Sequence, residues 1–247
     1  MKYVEYGKGN KDIIILMHGG GLSWWNYETA AASLENEYHV ILPMLDGHAG
    51  SDKGFTTIED NAAEIVEFID ERLGGRVLMI GGLSLGAQIL LEILSLRPDI
   101  CSHAIVESPL VIPSKATYAM IEPAFGSCYG LIRQRWFSRL QFKSLRIRGE
   151  LFDHYYRDTV AISKSDMIAF MKANSVYSMK QNIKNCTAKT IVVVGSKEYG
   201  FMKKSAKIVN NTLQNSTLEV ARGLYHGEFS INHGEEYAAL IRDLIKT

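Results

Sequence analysis

Gly82-Leu83-Ser84-Leu85-Gly86 joins an apolar run ending in Val77-Leu78-Met79-Ile80 to a helix-like run that begins at Ala87. The reading is a strand, a sharp turn carrying a serine, and a helix. A serine hydroxyl is a poor nucleophile until it is lifted clear of the backbone beside a base, and a strained turn between two glycines does that lifting. A Cβ at either flanking position would crowd the strand and helix where they approach. The five-residue string alone would arise by chance in roughly one chain in ten of this size, so the argument rests on its setting.

Upstream, Ile13-Ile14-Ile15-Leu16-Met17 is a continuous β-branched and apolar run too short for a helix, and it ends in His18-Gly19-Gly20-Gly21. It reads as a buried strand followed by a loop without side chains. Backbone N–H groups in such a loop are free to face a cavity. The N–H of Gly20, together with that of Leu85 just after the serine, is placed to receive the oxyanion of an acyl-transfer intermediate.

Further strands are expected at His39 to Leu45, Arg76 to Ile80, Ala104 to Val106, Ile191 to Val194 and Leu218 to Ala221. Between them, Thr57-Ile58-Glu59-Asp60 opens a helix in capping-box fashion, with Ile58, Ala62, Ile65, Ile69 and Leu73 recurring at helical spacing until Gly74-Gly75. Leu85 to Arg97, Met202 to Leu213 and Glu235 to Ile245 supply other helices. This alternation predicts a mostly parallel sheet covered on both faces, with its site at the carboxyl ends of the strands. The alternation breaks over residues 110–186, which carry helical spacing and no convincing central strand. That stretch reads as a helical cap inserted into a core made of residues 1–109 and 187–247.

These motifs resemble the α/β-hydrolase superfamily nearly end to end. The likeness is carried by His18 to Gly21 with Trp24 and Trp25, Asp46-Gly47-His48-Ala49-Gly50-Ser51, the Gly82 to Gly86 elbow, Gly195-Ser196-Lys197-Glu198, and Leu224-Tyr225-His226-Gly227. The resemblance implies an α/β-hydrolase fold and a nucleophile, acid and histidine in that chain order. It also puts Trp24 and Trp25 beside the substrate. Two departures stand out: Glu198 replaces the family's usual aspartate, and the loop after the second long strand has Ala49 for its last glycine and Asp46 where an arginine is common.

His226 follows the Leu218 to Ala221 strand beside a glycine, which suits a base reaching back over the sheet; His233, just before the last helix, is its rival. Glu198 ends the Ile191 to Val194 strand and is long enough to accept the imidazole N–H. Glu107, after Ala104-Ile105-Val106, is the competing acid. The expected activity is a serine esterase, a hydrolase in which Ser84, His226 and Glu198 cleave a small or medium carboxylic ester through an acyl-enzyme, with no cofactor or metal. Two other readings stay open: a cofactor-free lyase or carbon-carbon hydrolase acting on a carboxylated substrate, and a ligand-binding protein without turnover.

Composition narrows the partners. The 247 residues have zero formal net charge and 47% hydrophobic content, so no global field favours nucleic acid or an anionic membrane. The apolar runs are strand-sized and no signal peptide is legible. Cys101, Cys128 and Cys186 are an odd set without C-x-x-C spacing, as expected of reduced thiols in a cytoplasmic protein. The one local anomaly is basic: Arg133, Arg135, Arg139, Lys143, Arg146 and Arg148 precede any acid until Glu150. They read either as a solvated face partly paired to the core or as a dock for an anionic substrate tail or acidic partner. Trp136, Phe137 and Phe142 among them suit either a cap core, the favoured reading, or an apolar pocket wall.

Overall fold

The computed structural model describes residues 1–246. Seven strands, β1 (Tyr3–Tyr6), β2 (Ile13–Met17), β3 (His39–Pro43), β4 (Val77–Leu83), β5 (Cys101–Glu107), β6 (Lys189–Gly195) and β7 (Ser216–Ala221), form one sheet in the order β1-β3-β2-β4-β5-β6-β7. Only β1 is antiparallel to its neighbour. The chain steps outward from β2 to β3 and then returns to β4 on the other side of β2. The crevice outside the carboxyl ends of β2 and β4 is therefore the topological switch point of the sheet, where ligands bind in open α/β folds.

The strands are buried on both faces, as their unbroken apolar sequences require. Ile15, Met17, Ile80, Val106 and Val192 pack with α2 (Ile58–Arg72), α3 (Leu85–Leu96) and α8 (Gly200–Thr212). Ile14, Leu16, Met79, Ile105 and Val193 pack on the opposite side with α1 (Glu28–Leu34) and α10 (Gly234–Ile245). Thr57 caps α2, its Oγ1 accepting from the Asp60 N–H at 2.9 Å, and Ile58, Ala62, Ile65 and Ile69 form the buried stripe.

Two features depart from the sequence reading. The serine strand runs on to Leu83 rather than stopping at Ile80, because Gly81 and Gly82 still pair with Leu16 and Met17 of β2. The short strand β1 and helix α1 carry little apolar periodicity, and only their packing at the sheet edge and on the second face defines them. Between β5 and β6 lie α4 (Lys115–Ile132), α5 (Arg135–Ser144), α6 (Phe152–Ala161) and α7 (Lys164–Val176), with no strand among the described residues. A short helix, α9 (Glu228–Asn232), precedes α10.

This helical insertion is tied to the strand ends by a few specific contacts. The Trp25 indole N–H donates to Asp158 Oδ2 at 2.9 Å, the Phe55 N–H to Asp166 Oδ1 at 2.8 Å, and Asn174 Nδ2 to Gln88 Oε1 at 2.9 Å. Gln88 stands one turn along α3 from Ser84. The Phe170 ring lies 4.6 Å from that of His48 and 6.2 Å from that of Phe55. No helix among the described residues is long and apolar enough to cross a membrane.

Candidate active site

Ser84 occupies the turn between β4 and α3 with φ 54° and ψ −106°, a conformation that costs an L-residue strain and holds its side chain off both elements. The flanking glycines make the turn possible. A Cβ on Gly82 would sit 2.3 Å from the Gly86 carbonyl oxygen, and one on Gly86 would sit 2.2 Å from the Met17 carbonyl oxygen. The Ser84 N–H donates to the Glu107 carbonyl at 2.9 Å, and the Ser84 carbonyl accepts from the Gln88 N–H at 3.0 Å, so the strained turn is bonded on both sides.

Leu85 is the first residue of α3, so its N–H has no acceptor within the helix and lies at the positive end of the helix dipole. Gly20 approaches it: a Cβ there would stand 3.7 Å from Leu85 Cβ and 3.2 Å from the Phe170 ring. Asn26 steadies the glycine loop, its Oδ1 accepting from the Gly19 N–H at 3.2 Å. His18 is buried under that loop, with Nδ1 2.9 Å from the Gly19 carbonyl and Nε2 accepting from the Leu45 N–H at 3.2 Å. Burial, with His48 nearby, depresses its pKa to about 3, so His18 is a neutral structural strut. His48 is likewise buried, and its pKa falls to about 4 for the same first reason.

Glu198 and His226 meet. His226 Nδ1 lies 2.9 Å from Glu198 Oε2, while Glu198 Oε1 accepts from the Gly195 N–H at 2.7 Å and from Ser108 Oγ at 2.8 Å. Burial works against the Glu198 charge, yet the histidine and these two donors outweigh it and hold the pKa below the ordinary glutamate value. The His226 side chain remains 44% exposed. With Nδ1 bound to the carboxylate, Nε2 is the ring nitrogen left for chemistry. His226 and Ser84 line one cavity of about 70 Å³ together with Gly20. His233, by contrast, sits at the start of α10 with Nδ1 3.6 Å from Glu236 and does not line that cavity.

Glu107 is buried directly behind this pair. Its Oε1 accepts from the Ser230 N–H at 3.3 Å, and Ser230 is its main hydrogen-bonding neighbour among the described residues. Burial above all, and the neighbouring Glu198 charge, push its pKa up to about 7. Its bond is to the backbone of α9, not to the imidazole.

The two tryptophans are not brought to the cavity. Trp25 is buried and spends its only donor on Asp158, and the Trp24 ring packs edge-on against His154 at 6.5 Å; both join α6 to the core. Both stand in a short 3₁₀ turn over Trp24–Tyr27. Of the insertion's aromatics, Phe142 is buried against Phe152 and Tyr155 and Phe137 is half-buried, but Trp136 is 60% exposed.

Four cations of the basic segment have partners of their own. Arg135 pairs with Asp153, Arg139 lies over the Phe152 ring at 5.1 Å, Arg146 over the Tyr225 ring at 3.9 Å, and Arg148 lies 3.5 Å from Glu150. Phe170, Asn26 and Gln88 matter to the site but carried no signal in the sequence. Ser108 had one hint, its place after Glu107 at a strand end, and in the fold it takes a rare φ of 50°.

The model of the alpha/beta hydrolase family matches residues 14–195, and the chain belongs to that family. Among solved structures it is similar to an enol-lactonase from Burkholderia xenovorans LB400, with TM-score 0.83, 13% identity, and coverage of 100% of this chain and 96% of that one. A thermophilic esterase from Thermogutta terrifontis aligns over 99% of this chain and 92% of that one, with TM-score 0.81 and 17% identity. A structure from work on carboxylesterases of Nitrososphaera gargenis aligns over 98% and 93%, with TM-score 0.78 and 20% identity. At such identities these likenesses concern the fold.

Proposed function

We propose that this alpha/beta hydrolase is a serine esterase cleaving a small or medium carboxylic ester, with Ser84 as nucleophile, His226 as base and Glu198 as the acid that orients it. The observation that carries the reading is the 2.9 Å bond from His226 Nδ1 to the buried Glu198, in a ring that shares its cavity with the strained elbow serine. Ser84 Oγ attacks the ester carbonyl as His226 Nε2 takes its proton, and the N–H groups of Gly20 and Leu85 stabilise the oxyanion. Glu198 selects the tautomer with its proton on Nδ1 and balances the imidazolium. Residues 110–186 act as a cap that keeps bulk water from the acyl-enzyme until a hydrolytic water enters. We place the protein in a reducing compartment such as the cytoplasm, because Cys128 is an exposed free thiol.

Labelling of Ser84 by a fluorophosphonate, followed by turnover of short-chain aryl esters, tests the assignment. Labelling without turnover favours the carbon-carbon hydrolase or lyase reading, and neither labelling nor turnover favours a ligand-binding protein. None of Arg135, Arg139, Arg146 and Arg148 lines the cavity, which weakens the case for a carboxylated substrate.

A further inference from the structure

Two cavities meet at Ser84, and they differ in size and in what lines them. The smaller, about 70 Å³, is walled by Leu22, Leu83, Leu145, Ile147 and Ile231 and contains His226. The larger, about 250 Å³, is walled by Leu110, Ile121, Phe170 and Met171, with Thr117 and Asn174 at its polar edge, and contains no histidine. Ser84 and Gly20 belong to both.

We infer that the substrate is an uncharged ester with a short alcohol arm in the smaller cavity and a longer apolar acyl arm in the larger one. The inference rests on the serine esterase reading above. In the tetrahedral intermediate one carbon carries Ser84 Oγ, the oxyanion, the acyl arm and the alkoxy arm. Collapse breaks the bond to the alkoxy oxygen, which leaves with the electron pair and takes the proton that His226 removed from Ser84. That oxygen must lie within hydrogen-bond reach of the imidazole, so the alcohol departs on the His226 side. The acyl arm stays attached to Ser84 and takes the other cavity. Water then adds to the acyl carbon, the bond to Oγ breaks, and the proton returns to Ser84 through His226, leaving the acid and the enzyme.

Volume sets the lengths. The larger cavity has more than three times the space of the smaller, so the longer arm belongs in it. Charge sets the class. Apart from His226 no titratable side chain among the described residues lines either cavity, and a carboxylate seated against the apolar walls without a partner would be penalised by desolvation. None of the segment's cations is among the described residues that line either cavity, and four of them are held by Asp153, Glu150 and the rings of Phe152 and Tyr225.

The test uses two isomers, methyl heptanoate and hexyl acetate, which contain the same atoms and exchange the long arm across the ester. The full chain should hydrolyse methyl heptanoate with kcat/KM at least about tenfold higher, the scale on which a pocket discriminates a few methylenes. Ile147→Ala should shift the ratio toward hexyl acetate, and Ile121→Trp should raise the ratio of methyl acetate to methyl heptanoate turnover. Methyl hydrogen glutarate, which puts a carboxylate where methyl pentanoate has a methyl, should be at least about tenfold poorer. Equal or reversed preference between the isomers overturns the arm assignment, and a preference for the glutarate ester overturns the uncharged class. If no ester of the set is cleaved and Ser84 resists the fluorophosphonate, the esterase reading itself fails and the inference with it.

Discussion

Ser84 and Phe170 line one cavity and are held there by different physics. The serine is positioned by backbone: a strained φ, glycines that admit no Cβ, and amide bonds on both sides of the turn. Phe170 is positioned by side chains, lying against His48 and Phe55 on a helix tied to the core through Asp166 and Asn174. The outer helices of the insertion are looser still, with Met120, Trp136 and Leu140 about 60% exposed. Backbone-fixed geometry tolerates almost no substitution, whereas side-chain packing can be repacked at modest cost. On the esterase reading proposed above, the difference assigns the chemistry to the core and much of the selectivity to the insertion.

The sharpest way to break this division is Ser84→Ala. We expect at least roughly a thousandfold loss of ester turnover with the thermal midpoint little changed, because only binding and the oxyanion hole would remain. His226→Ala should match it. A variant that kept its turnover would remove the serine mechanism and leave the core no more chemical than the insertion.

Glu198→Gln comes next, with turnover falling by roughly two to four orders of magnitude on a folded protein. Glu107→Gln should cost far less activity, since that carboxyl bonds α9 rather than the imidazole. Steady-state kinetics of the two variants side by side decides which carboxylate serves the histidine.

A pH series sharpens the comparison within the core itself. Glu107 is pushed up to about 7 from 4.5, so between those values the folded protein holds a proton that the unfolded chain has released. Its contribution to stability therefore declines as pH rises through that window, by up to about 3 kcal/mol. His18 and His48 have the opposite sign: their pKa values are depressed to about 3 and 4, so stability falls as pH drops below their unfolded value of 6.5. Chemical denaturation from pH 5 to 8 should show the alkaline-side decline flattened in Glu107→Gln. An unaltered slope would mean that Glu107 is already ionised in the fold.

Trp25→Phe probes the seam between the regions. It removes a buried hydrogen bond to a carboxylate, and we expect a loss of about 1.5–3 kcal/mol in calorimetric stability with kcat changed only a few-fold. A collapse of kcat instead would show that the seam also sets the catalytic geometry. The smallest effect belongs to His233→Ala, expected to leave ester turnover within about twofold of the parent, as surface changes away from a site do; a large loss there would reassign the base.

Local patterns were legible wherever neighbours in sequence are neighbours in space. The strand-turn-helix about Ser84, the stripe and cap of α2, and the buried runs of β2 and β6 all follow from periodicity, β-branching and glycine placement. The limits of β4 were less clear, because glycines 81 and 82 look like a turn until β2 is laid beside them. Trp24 and Trp25 misled for a related reason: adjacency to a glycine loop does not say which way the chain turns afterwards.

By itself the sequence determined the class of fold, the serine on its turn, and the glycine loop upstream, since each depends on a few consecutive residues and their steric limits. It also narrowed the acid to Glu107 or Glu198 and the base to His226 or His233, because strand ends can be counted. Tertiary structure brought one pair of these together: Glu198 and His226, 28 positions apart, are joined by a 2.9 Å bond, and Ser108 crosses 90 positions to brace the carboxylate. It alone decided where the basic residues of the insertion go and which apolar side chains wall the two cavities. Contacts across such separations depend on how the helices pack on the sheet, and no local preference of the chain encodes that packing.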